Sequence, residues 1–300
     1  MTPRSRRERS LEAALGTDAL EPYVAYAEWM ERAGNPHAEL VRMELAMLST
    51  PVHQLPAFHA RRTALLAALY PERDAAFDYV EERWVGGFVH ELALAAPSRD
   101  VFDPVVLLAP LFDLVPYAVL RKLTLRPLHG HSRIDRDSTD ALMRIIGERI
   151  PTISRVVLTA PVHSFSAEPF GDCAPLAASF PRLSELIVER TNYTASSRLW
   201  FPELRRLSLD ASPTIRELLA AVDAPRLEHL AVRDYQTADD LACWLAPRLG
   251  GLRELELIGP LTTRGAEALA ASLPAGARLW VSSSVVALVT PLAPHLTILS

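Results

Sequence analysis

The chain has 300 residues, 49% hydrophobic and 22% charged, a globular balance that excludes a disordered chain. Its net charge of -5, without a clustered basic excess, argues against a nucleic-acid footprint. Two cysteines, Cys173 and Cys243, stand far apart, which excludes a disulfide framework and a four-cysteine zinc site and fits a reducing compartment.

The one basic run, Arg4, Arg6, Arg7 and Arg9, reads as a solvated terminus, with contact to an acidic partner as the alternative. No apolar run follows it, so it is no secretory signal, and no stretch of about 20 apolar residues is present to span a membrane. The expected location is cytoplasmic. Residues 1–85 read as a helical module. After a short helix over Leu11–Leu15, a second opens at Pro22, where a missing N–H costs nothing, and stops at Gly34, a left-handed C-terminal residue. Asn35 caps a third, whose Leu40, Val41, Leu45 and Leu48 share one face. Leu55, Phe58, Leu65, Leu66 and Leu69 mark a fourth, ended by Pro71. Tyr26, Trp29 and Met30 sit at helical spacing and are expected to pack on the next helix; exposed binding aromatics are the alternative. Glu28, Glu31 and Glu39 read as solvated, or paired with Arg32 and Arg42.

The run from Tyr26 to Met43, YAEWMERAGNPHAELVRM, resembles the bacterial repeat-companion domain, whose core reads approximately YADWLEERGDPRGEFIRLQ. The likeness covers about Leu11 to Leu48. The sequence departs from that core at Glu28, Asn35 and Ala38, where the family has Asp, Asp and Gly. The resemblance implies an architecture, a small N-terminal domain ahead of repeats, and no reaction.

From residue 86 onward one pattern recurs: a leucine, two residues, then two apolar residues flanking a variable one. Its anchors are Leu92, Leu123, Val156, Leu186, Leu207, Leu230, Leu255 and Leu279. The anchors fall 30–33 residues apart at first and 21–25 apart later. Alternation puts both flanking residues on one face of a short strand. A single such unit buries too little, so neighbours must stack and share a core. Helical returns are expected over 137–146, 213–222, 238–245 and 262–274, with 285–299 as an end cap. The array resembles the leucine-rich-repeat family, with ribonuclease-inhibitor-like helical half-repeats. The implied fold class is an α/β solenoid over 86–300, with a parallel sheet on the concave face and helices on the convex face, preceded by an all-α module over 1–85. The positions where the family places Asn or Cys hold Leu128, Thr191, Ser212, Tyr235 and Pro260, so irregular turns are expected.

In such an array the variable residues face away from the core. The expected partner-binding set is Lys122, Arg126, Arg155, Val157, Glu185, Ile187, Glu189, Arg206, Asp210, His229, Arg233, Glu254 and Trp280. Strands about 4.8 Å apart would let Glu185 pair with Arg206 and Asp210 with Arg233. These charges read either as solubility and register devices, each exposed pair contributing about 0–1 kcal/mol, or as a mixed-charge binding strip with an apolar patch around Val157 and Ile187. Trp280 is either exposed or covered by the C-terminal segment.

No catalytic constellation is present. The chain lacks a Gly-rich phosphate loop and a GxSxG elbow. His90-Glu91 begins like a zinc-protease motif, but Leu94 stands where the second histidine belongs. His129, His131, Asp135 and Asp137 read as a solvated loop rather than a metal site. Cys243 reads as a buried small hydrophobe. The expectation is a non-enzymatic adaptor or recognition subunit, with no cofactor, metal, nucleic acid or membrane, that binds a protein partner through the repeat face. The alternatives are a structural subunit docked through the N-terminal helices or the C-terminal end, and, behind it, an enzyme or metal protein. The sequence leaves the partner and the oligomeric state open.

Overall fold

The computed structural model describes residues 14–15, 19–71, 73, 80–95, 104–126, 136–159, 171–189, 193–210, 215–233, 238–246 and 250–299. The chain divides into two compact units, Met1–Ile153 and Ser154–Ser300.

The first unit carries helices α1 (Glu21–Arg32), α2 (His37–Met47) and α3 (Leu55–Leu69), strands β1 (Val80–Val85) and β2 (Phe88–Ala95), helix α4 (Pro104–Leu108), strand β3 (Lys122–Arg126) and helix α5 (Arg136–Arg149). Helix α1 starts with Glu21 and Pro22 in its first turn, an acid where the helix dipole favours one and a proline where no N–H is needed. It ends in a Schellman motif. The Asn35 N–H donates to Met30 O and the Gly34 N–H to Glu31 O, both at 2.9 Å, with Gly34 at φ 68°. Asn35 Oδ1 then accepts the His37 N–H at 3.0 Å and so caps α2. Tyr23, Tyr26, Ala27 and Met30 of α1 pack with Val41 and Phe88 in one cluster, and Trp29 lies half-buried at its margin. Leu40, Met43, Leu66 and Tyr70 form a second cluster. Leu48, expected on the buried face, is 66% exposed because α2 ends at Met47.

The helical character expected of residues 1–85 does not reach their end. β1 pairs antiparallel with β2, which runs parallel to β3. Gly86 and Gly87 form the two-residue turn between β1 and β2, both with positive φ, the geometry whose twist matches the flanking strands.

The second unit carries six of the eight repeat anchors, Val156 to Leu279. Its long strands are β4 (Arg155–Thr159), β6 (Glu185–Glu189), β9 (Arg206–Asp210), β11 (His229–Arg233), β12 (Glu254–Ile258), β13 (Arg278–Val281) and β14 (Thr297–Leu299). They lie in that order in one sheet, and every pair is parallel. Two minor ladders join β5 (Gly171–Asp172) to β7 (Tyr193–Thr194) and β8 (Leu199–Trp200) to β10 (Val222–Asp223). Helices α6 (Ala174–Ser179), α7 (Ile215–Ala221), α8 (Ala238–Leu245), α9 (Thr263–Ser272) and α10 (Ser283–Val289) fall between the strands.

The register follows the repeat. Val156, Leu186, Leu207, Leu230, Leu255 and Leu279 face one another across successive strands, all at most 4% exposed. Leu158, Val188, Leu209, Val232, Leu257 and Val281 make a second buried column. A one-residue slip would put both columns in water, so burial itself fixes the register. Fully burying each such side chain contributes about 1.5–3 kcal/mol. The connecting helices bury Ile215, Leu218, Leu241, Leu245, Ala266 and Leu269. Cys243, read as buried, is only half-buried, one position past the buried pair Leu241 and Ala242 on α8. The mixed α/β character and the long parallel sheet are therefore features of the fold.

Candidate functional site

Alternate residues of the long strands in the second unit point away from the buried columns, and in-register pairing lines them up in rows. The first row runs Arg155, Glu185, Arg206, His229, Glu254 and Arg278. The second runs Val157, Ile187, Ser208, Ala231, Glu256 and Trp280. The third contains Thr159, Glu189, Asp210, Arg233 and Ile258. All partner-binding candidates of this unit thus share one face.

The charges on this face are organised. Glu185 takes its ion-pair partner from β4, Arg155 Nε at 3.1 Å, rather than the expected Arg206. Glu254 gathers three donors: Trp280 Nε1 at 2.7 Å on Oε1, with Arg278 at 2.7 Å and His229 Nδ1 at 3.1 Å on Oε2. Arg233 reaches Glu256 at 3.0 Å. One Asp210 oxygen, Oδ1, is buried without a hydrogen-bond partner among the described residues. Arg206 is exposed and has no ion-pair partner among the described residues. Its two neighbours in the row, Glu185 and His229, are both engaged elsewhere.

The second row shapes the surface. Its side chains shrink to Ser208 and Ala231 on two adjacent strands, between the larger Ile187 and Glu256. The gap is a shallow depression of about 140 Å³, bordered by Glu185, Arg206, His229 and Glu254. Val157 is only 8% exposed, so Ile187 carries the apolar surface expected of the pair. Trp280 is half-buried beside Leu299 of β14, its indole N–H satisfied by Glu254.

Lys122 and Arg126 lie on β3 in the first unit. Lys122 Nζ holds Glu91 Oε2 at 2.7 Å, and Arg83 holds the other oxygen. Burial raises the Glu91 carboxyl, but the hydrogen bonds from Lys122 and Arg83 outweigh it and leave the group below the ordinary carboxylate range. His90 Nε2 lies 3.0 Å from the Tyr23 hydroxyl. That hydroxyl donates to Leu15 O at 2.7 Å, so His90 is the donor to it.

Ser208, Ala231, Glu256 and Arg278 belong to the site but not to the sequence-based set. Two small residues at matching positions of consecutive repeats were the available signal for the depression. His129, His131 and Asp135 lie outside the described residues, as does the side chain of Asp137. Among the described residues, no group of three or more His, Cys, Asp or Glu side chains is arranged to hold a metal ion, and no helix is long and apolar enough to cross a membrane.

No family model matches the sequence, and no curated protein matches it. Among solved structures, a protein from Bacteroides fragilis is similar at 14% identity and a TM-score of 0.43, over 67% of this chain and 72% of that one.

Proposed function

We propose that the chain is a non-catalytic interaction protein, an adaptor or recognition subunit, that binds a protein partner through the outward face of its repeat strands. In this reading residues 86–300 are a leucine-rich-repeat solenoid with that face as its concave side, and the N-terminal helices are a repeat-companion module. The observation that carries the proposal is the depression over Ser208 and Ala231 with Arg206, which has no ion-pair partner among the described residues, at its border. A solubility device would leave the face charged but filled; a hollow beside an uncompensated cation is a surface with something left to bind. Parallel sheets are ordinarily covered on both faces, and here one face presents charge to solvent. The test is capture from native lysate by wild-type bait and by Arg206→Glu bait. Arg206 is exposed, so the substitution leaves folding within about 0.5 kcal/mol. A protein held by wild type and lost with Arg206→Glu supports the reading; if every captured protein is retained, it fails.

A second reading, docking through the N-terminal helices, is favoured by Leu20 and Val24, one helical turn apart and 45% and 43% exposed. It requires Leu20→Ser/Val24→Ser to abolish assembly while Arg206→Glu does not.

A further inference from the structure

We infer that the depression over Ser208 and Ala231 receives an acidic side chain of a bound peptide segment, with Arg206 as its counter-charge. The inference rests on the interaction reading above and names the chemistry of the segment recognised.

The argument is one of charge already spent. Three carboxylates border the depression, and each is neutralised from outside it: Glu185 by Arg155, Glu254 by Arg278, and Glu256 by Arg233. The charge of each is thus already offset by a cation of the protein. Arg206 alone in that border presents a full charge without an ion-pair partner among the described residues. An incoming carboxylate meets an unspent guanidinium, whose fork of N–H donors matches its two oxygens. The Ser208 hydroxyl, two residues along the same strand and on the same face, supplies a further donor. Between these charged residues the lining is Ser208, Ala231 and Ile187, with Leu186, Leu207 and Leu230. At about 140 Å³ the hollow suits a short side chain such as Asp on an extended backbone better than an aromatic anchor. A partner presenting Lys or Arg here would face Arg206 directly and be repelled.

The test uses the full chain and two pools of fluorescein-labelled heptapeptides, degenerate at six positions, with Asp at the centre of one and Asn at the centre of the other. Fluorescence polarisation reads binding at low salt. Wild type is expected to bind the Asp pool about tenfold more tightly than the Asn pool. Arg206→Lys keeps most of that preference; Arg206→Glu erases it. Ala231→Phe fills the floor while leaving Arg206 in place, and is expected to lose the Asp pool. Circular dichroism confirms that each variant folds, and Arg206→Gln replaces Arg206→Glu should the latter not fold. Equal binding of the pools, binding of neither, or an Asp preference that survives in Arg206→Glu overturns the inference. Failure here is distinct from failure of the interaction reading. A protein captured in an Arg206-dependent way, together with pools that bind equally, removes the acidic-side-chain assignment and leaves the face intact. Discrimination between the pools without any captured protein keeps the assignment and removes the protein partner.

Discussion

Gly87 packs so closely on α2 that a Cβ at position 87 would stand 2.9 Å from Val41 Cγ2 and 3.0 Å from Val41 Cα. The hairpin turn and the second helix therefore meet backbone to backbone. Gly87 also has a φ of 86°, so an L side chain there is strained as well as crowded. Gly87→Ala is expected to cost about 2–5 kcal/mol, from left-handed strain and forced displacement together. Gly34 is the internal control, at φ 68° with nothing within 4 Å of its added Cβ. Gly34→Ala should cost only the strain, about 1–2 kcal/mol. Urea unfolding of the two variants checks the difference, and equal losses would show that the Val41 contact gives way without cost.

His37 is fully buried, its Nδ1 2.7 Å from the Tyr70 hydroxyl and its ring edge-on to Phe88. Burial pushes its imidazole down to about 4, and the Gly87 backbone offsets part of that fall. The folded state thus resists a proton that the unfolded chain accepts near 6.5. Above 6.5 both states are neutral and the residue makes no pH-dependent contribution. As pH falls from 6.5 to 4, the unfolded chain alone gains a proton, and about 3 kcal/mol of stability is lost. His37→Gln lacks this titration, so the stability gap between wild type and variant should shrink by about 3 kcal/mol from pH 7.5 to pH 4. A gap that does not change with pH would place the proton elsewhere.

The parts of the molecule that were legible in the sequence are those fixed by periodicity. Leu207, Leu230 and Leu255 recur at a nearly constant spacing, and a parallel register is the one arrangement that buries them all. The rows of variable residues follow from the same alternation. Strand β1 was hidden because its alternation is masked by charge: Val80-Glu81-Glu82-Arg83-Trp84-Val85 carries three consecutive charged residues, yet the Glu82 side chain is 3% exposed. The Gly86-Gly87 dipeptide was the available hairpin signal. Ion pairing was illegible for a different reason. In a parallel array each charge has a neighbour about 4.8 Å away on either side. Glu185 lies between Arg155 and Arg206, and only side-chain geometry selects Arg155 and leaves Arg206 uncompensated. The same limit separates Glu39 and Arg42, adjacent on α2, which pair instead with Arg61 and Glu31.

Glu82 is the hub of a buried network. It accepts from Trp84 Nε1 at 2.9 Å, from Arg73 Nε at 3.0 Å and from the Tyr117 hydroxyl. Arg73 and Arg62 also lie over the Trp84 ring, at 5.5 and 4.7 Å from its centroid. Burial, reinforced by the Glu82 charge, raises the Tyr117 hydroxyl well above its ordinary value, so it is a donor at neutral pH. Glu82→Ala removes the acceptor from two buried donors and the counter-charge from Arg73. The expected loss is about 3–5 kcal/mol, read by urea unfolding. Glu82→Leu/Arg73→Met removes both charges and should recover part of it. A double variant as unstable as Glu82→Ala would mean that the hydrogen bonds from Trp84 and Tyr117 matter more than the ion pair.

The two thiols should react at very different rates. Cys173 is 1% exposed, and burial, helped by the neighbouring Asp172 carboxylate, pushes its thiol up to about 12. Reactivity needs both the thiolate and access, and Cys173 has neither in the folded chain. Cys243, on α8 beside Trp244, is half-buried and within partial reach of reagent. Native protein at pH 8 is therefore expected to give one fast thiol with a small disulfide reagent, and two in denaturant. Tryptic mapping should place the native label on Cys243. The Cys173 rate should follow global unfolding, falling with any stabilising condition. Rapid native labelling of Cys173 would mean that the segment between β5 and α6 opens independently of the sheet, and the buried environment assigned to that thiol would then be wrong.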